Sequence, residues 1–148
     1  MKHFMLIFIT CLLGLFANGQ DPVFEEQLLT EFYTWNTVLP LDEAFKSAGH
    51  PGGPLVKSYF NNTAKPYYDG LVLSSFSEGS VLSKAVVNDP TQPSSEAKTV
   101  YFMKKLAKDV SPSSNDWAFA RATMDTRGKL KYVSGQNTSG CVSCHRAM

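Results

Sequence analysis

Near the C-terminus, Cys141-Val142-Ser143-Cys144-His145 places two thiols and an imidazole at C-x-x-C-H spacing. Thiols so spaced can add across the two vinyl groups of one haem, and the adjoining imidazole then falls beneath the iron as its axial ligand. Other chemistries compete for the same letters. A structural zinc site takes four ligands, often as two C-x-x-C pairs; here there is one pair, and His3 and His50 are the only other histidines. A thioredoxin-like dithiol belongs beside a βαβ pattern, and a plain structural disulfide is the remaining alternative. The reading is one haem c, attached through Cys141 and Cys144, with His145 as the metal ligand. Arg146, next in the chain, could pair with a haem propionate or cap a final helix.

No equally strong sixth ligand is evident. Met103 and Met124 fall in strand-like patterns that predict packing, and Met148 is too close to His145 to cross to the opposite haem face. His50 sits in the Gly/Pro-rich run Gly49-His50-Pro51-Gly52-Gly53-Pro54, where a structural hydrogen-bonding role is expected.

The elements that must carry this motif divide into three stretches. Lys2-His3, an apolar run from Phe4 to Phe16 and Ala17-Asn18-Gly19 form the charged, apolar and small-residue zones of a signal peptide over residues 1–19. The apolar run is too short to favour a membrane span, and Cys11 inside it would be lost on cleavage. Covalent haem and export together point to a bacterial periplasm. Removing 19 of 148 residues leaves 129, enough for one domain, residues 20–148. The leader carries one lysine and no acid, so the 14 basic and 13 acidic residues become 13 of each. That balance gives no electrostatic case for nucleic acid.

After the leader, Asp21-Pro22 reads as a helix start, and Phe24, Leu28, Phe32 and Trp35 follow at helical spacing, giving a helix that ends near Pro40. A second short helix is expected over 42–48. Beyond it the texture is β: residues 55–60, 81–87, 99–106, 117–123 and 129–133 are runs rich in β-branched and aromatic side chains. Asp125-Thr126-Arg127-Gly128 is a tight-turn sequence between two of them. Short connections between successive strands predict an antiparallel sheet packed with a few helices. The expected class is α+β, mainly β, with a C-terminal helix presenting the haem-attachment motif.

In this setting the chain resembles the β-sheet cytochromes comprising cytochrome P-460 and cytochrome c′-beta. The likeness runs from about Tyr33 to the end. It takes in the Trp35 region, Lys46-Ser47-Ala48-Gly49-His50, Val56-Lys57-Ser58-Tyr59-Phe60-Asn61 and Phe76-Ser77-Glu78-Gly79-Ser80-Val81-Leu82-Ser83-Lys84. It continues through Tyr101-Phe102-Met103-Lys104-Lys105 and Asp116-Trp117 to Cys141–His145. The chain departs at Ala85, where many relatives carry an acid after the strand lysine, so no distal carboxylate is carried over to that position.

The resemblance implies a homodimer and a five-coordinate haem with an open distal face. In c′-beta proteins a hydrophobic, often phenylalanine-lined cap covers that face, which binds nitric oxide or carbon monoxide. In P-460 enzymes a lysine is cross-linked to the porphyrin and hydroxylamine is oxidised. By segment, Phe45, Phe60 and Phe76 are candidates for the distal cap, and Lys57, Lys65 and Lys84 for the cross-link. The expected function is a periplasmic gas-binding mono-haem cytochrome of c′-beta type, with a periplasmic redox partner and no membrane span after processing. P-460-type oxidation of hydroxylamine (and nitric oxide) and simple electron transfer through a six-coordinate haem are the alternatives.

Overall fold

The computed structural model describes residues 24–39, 43–50, 52–71, 75–133 and 138–145. The expected leader, the Asp21-Pro22 helix start, Arg146 and Met148 lie outside them. In chain order the elements are α1 (Leu28–Glu31), β1 (Asn36–Thr37), β2 (Phe45–Lys46), β3 (Leu55–Phe60), α2 (Lys65–Tyr68), β4 (Val81–Val87), β5 (Thr99–Lys105), β6 (Trp117–Met124), β7 (Leu130–Tyr132) and α3 (Ser139–His145). Short 3-10 turns cover Phe32–Thr34, Ser94–Glu96 and Pro112–Ser114.

The architecture is the expected one, a seven-stranded antiparallel sheet with a few short helices. Strands β3 to β7 follow one another across it, and β1 and β2 share the outer edge of β3. There β1 pairs with Tyr59 and Phe60, and β2 with Leu55 and Val56. Among the described residues no helix is long and apolar enough to cross a membrane.

Two local expectations are corrected. The stripe from Phe24 to Trp35 is not one helix: a single α-turn passes at Phe32 into a 3-10 turn and then into β1. Phe32-Tyr33-Thr34-Trp35-Asn36-Thr37 consists of aromatic, β-branched and Asn residues that all lose freedom or seek other partners in a helix. Within the segment expected as the second helix, Phe45–Lys46 forms β2 instead. Its pairing with β3 gives these two residues a ladder that an isolated helical turn could not match.

Alternation along the strands assigns each face a separate task. Tyr59, Val81, Ala85, Val100, Phe102, Ala120 and Ala122 turn to one side and form the main core with Phe24, Leu29 and Phe32. Phe32, fully buried, meets Tyr59 and Phe102 edge-on at centroid distances of 5.8 and 5.7 Å, a favoured aromatic geometry. The opposite face has two parallel rows set by strand register. One runs Phe60–Leu82–Met103–Phe119, and the next Ser58–Lys84–Tyr101–Arg121. Met103, Trp117 and Phe119 are buried there in a second cluster, with Phe76, Leu82, Cys141 and Val142 packed against it.

The β6–β7 hairpin is held by Asp125, whose carboxylate accepts hydrogen bonds from the backbone N–H groups of Lys129 (3.0 Å) and Arg127 (2.8 Å). These bonds, with the Lys131 ammonium, pull its pKa from 3.8 to about 2, against an opposing contribution from burial. A depressed carboxylate stabilises the fold above its unfolded pKa, and that stabilisation fades as pH falls through the folded value. The Asp125→Asn variant is therefore expected to denature at lower urea concentration than the parent near neutrality. The two midpoints should converge as pH falls from about 4 toward about 2. A difference independent of pH would show that the charge does not matter.

Candidate functional site

The C-x-x-C-H residues occupy α3, where Val142 N–H donates to Thr138 C=O at 3.0 Å and Ser143 Oγ–H to Gly140 C=O at 2.9 Å. Cys144 and His145 stand three and four residues beyond Cys141, so all three side chains share one helix face. The helix rests on the second sheet face through Cys141 and Val142, and the His145 ring lies 5.6 Å from that of Phe119. Both cysteines are free thiols, Cys141 half-buried and Cys144 exposed. Burial is the main influence on Cys141 and pushes its thiol pKa up, with Arg121 close enough to act in the opposite sense.

The shelf beside α3 is built by the β5–β6 loop. Asp116 accepts hydrogen bonds from the N–H groups of Ser111 (2.8 Å) and Asp109 (3.0 Å), and these, Ser111 first, lower its pKa. Asp109, Asn115 and Asp116 all have positive φ, a conformation that Asp and Asn tolerate better than other side chains. The 3-10 turn Pro112–Ser114, shaped by these bonds, lies against α3.

An aromatic wall adjoins the helix. Phe76 stacks on Tyr67 at 3.9 Å and meets Trp117 edge-on at 5.4 Å, while Phe60 stacks on Tyr68 at 4.1 Å. Thus α2, which carries both tyrosines, ties Phe60 and Phe76 to the side of the sheet that receives α3. Phe45 pairs with Val56 in the same facing sense but lines a small cleft with Thr37 and Leu39. Of the three candidates, Phe76 packs against the same cluster as Cys141 and Val142.

The lysines separate clearly. Lys57 pairs with Ala85 and so belongs to the other face. Lys65 is exposed on α2 and bonds Asp69 at 2.6 Å. Lys84 stands in the row adjoining Phe119 and is close enough to His145 and His50 to influence both charges. Among the described residues Lys84 has no hydrogen bond or carboxylate partner, and burial lowers its pKa. Both imidazoles are also held below the usual histidine range, first by burial and then by Lys84, with His145 contributing further at His50.

Two residues on this face carry more than their sequence context suggested. His50 does make the expected structural bond, Nδ1 to Ser47 Oγ at 2.7 Å, but its ring also lies 4.4 Å from that of Tyr101, the cross-strand neighbour of Lys84. Its membership of the site was hidden because it depends on the β2–β3 hairpin. Arg121, at the end of the Lys84 row and within reach of Cys141, is a second cation that could face an acidic cofactor edge. Met103 is buried between Trp117 and Phe119, and Met124 falls on the opposite face by alternation.

The donor set can be tested against the chemistry expected of it. Among the described residues no three His, Cys, Asp or Glu side chains converge to hold a metal ion, so zinc finds no tetrahedral ligand set there. A haem asks instead for two thiols, one imidazole, an apolar wall and cations for its propionates; Cys141, Cys144, His145, the Phe76–Trp117–Phe119 wall, Lys84 and Arg121 fit that demand. Comparison with models of protein families gives no match, and comparison with curated proteins gives none.

Proposed function

We propose that this chain is an exported, periplasmic mono-haem c-type cytochrome of c′-beta type that binds nitric oxide or carbon monoxide. One observation carries the reading: Cys141, Cys144 and His145 project from one face of a helix that rests on an aromatic sheet face. The motif order shared with the P-460 and c′-beta cytochromes supports it, as does the leader-like N-terminus, and with them a homodimeric assembly. When bound, the haem supplies an iron able to take a diatomic gas. Around it the protein's own groups have separable roles. Cys141 and Cys144 anchor, His145 ligates, and Arg121 and Lys84 offer positive charge. Phe76, Trp117 and Phe119 exclude water and so favour neutral guests over anions.

A second reading, P-460-type oxidation of hydroxylamine with a lysine-modified haem, is favoured by one specific feature. Lys84 presents a half-buried amine with a lowered pKa and no carboxylate partner among the described residues. A neutral amine is the nucleophilic form.

The ferrous spectrum decides between them. The c′-beta reading predicts a high-spin spectrum with an unshifted Soret band and ready binding of carbon monoxide. A strongly red-shifted Soret band, abolished by Lys84→Met, would establish the second reading instead. A low-spin spectrum without gas binding would overturn both in favour of electron transfer.

A further inference from the structure

The loop joining β2 to β3 is more tightly fixed than its composition suggests. Ser47 N–H donates to Pro54 C=O at 2.8 Å, His50 N–H to Ser47 C=O at 3.2 Å, and Gly53 N–H to His50 C=O at 2.9 Å. Gly52 and Gly53 supply φ values of +82° and +56°, which suit glycine and allow the chain to turn back onto the sheet. The result is a His50 ring clamped at three points. Its backbone is bonded, its Nδ1 meets the Oγ of buried Ser47, and its face lies on Tyr101. Among the described residues Ser47 is its hydrogen-bond partner, which leaves Nε2 for another group.

That Nε2 belongs to a ring on the sheet face that also receives the motif. His145 rests on Phe119 and His50 on Tyr101, residues one row and one strand apart on the same face. Strand rise and spacing put those two positions roughly 8 Å from each other, and His145 is close enough to His50 to act on its charge. A histidine that served only to cap its own loop would need neither the Tyr101 contact nor this address.

We infer that His50 is the distal hydrogen-bond donor of the site, selecting ligands on the iron's open side by their ability to accept a bond from Nε2–H. The inference rests on the haem reading above. Ser47 holds the ring in place, and this role requires the tautomer in which Ser47 Oγ–H donates to Nδ1 and the proton sits on Nε2. The preferred guests are then small oxides of nitrogen that, once bound through one atom, keep a lone pair on another to accept that bond.

The test uses the haem-loaded, ferrous, full-length protein with carbon monoxide as probe. In His50→Leu the C–O stretching frequency is expected to rise and carbon monoxide to dissociate about three- to tenfold faster, the range of one hydrogen bond. His50→Gln, which keeps a donor, should restore part of the shift, and Ser47→Ala should give a smaller shift in the same direction. If the parent binds carbon monoxide and all three variants keep its frequency and dissociation rate, the inference fails while the haem reading stands. If the parent binds none, both fail. If the parent is low-spin and His50→Leu turns it high-spin, His50 is itself the sixth ligand, and its role as donor to a guest is overturned.

Discussion

With Cys141→Ser and Cys144→Ser combined, all of the haem is expected to leave the protein on extraction with acidified organic solvent, whereas the parent keeps it. A thioether survives denaturation, and a serine hydroxyl does not form one with a haem vinyl group. Each single variant should retain attachment through the remaining sulfur. His145→Ala separates ligation from attachment: its haem stays covalently bound but its spectrum changes. The fold should tolerate these changes. Cys144 is exposed, Cys141 is half-buried at the margin of the Met103–Trp117–Phe119 cluster, and every sheet strand lies outside α3. Haem that can be extracted from the parent, or that stays fixed in the double variant, would refute covalent attachment at these thiols.

The largest expected loss of stability falls on the other face. Phe32→Ala should cost about 3–5 kcal/mol, a large share of the 5–15 kcal/mol typical of a domain. The ring is fully buried, makes edge contacts with Tyr59, Phe102 and Tyr33, and closes the core that α1 and its 3-10 extension form with the sheet. Phe32→Leu should lose much less, because it keeps most of the buried volume. Urea midpoints measure both, and a loss below about 1 kcal/mol for the alanine variant would mean that the N-terminal segment adds little to the core.

The strands were legible because their alternation is strong. The runs at 55–60 and 81–87 match β3 and β4 residue for residue, and β5, β6 and β7 differ from expectation only at their ends. Asp125–Gly128 supplied the hairpin turn it spells. The N-terminal stripe misled because Phe24, Leu28 and Phe32 fit helical spacing, while the weak helix formers from Phe32 to Thr37 ended the helix after one turn. β2 escaped notice because two residues carry no period, and α2 because Lys65-Pro66-Tyr67-Tyr68 is a single turn. The site divided in the same way. Cys141, Cys144 and His145 are neighbours in sequence and were readable there. The choice of Lys84 over Lys57 and Lys65, the capture of Phe60 and Phe76 by tyrosines of α2, and the arrival of His50 over Tyr101 each depend on strand register or loop closure. No local pattern encodes either.

In β4 the even-numbered Leu82, Lys84 and Val86 turn toward the motif, and the odd-numbered Val81, Ser83, Ala85 and Val87 turn away. One strand thus carries two interleaved texts, and a substitution edits only the text in which it is written. Descendants of such a chain can exchange Lys84 while inheriting an unaltered main core. Chemistry and foldedness can therefore diverge along separate lineages of residues in the same seven letters.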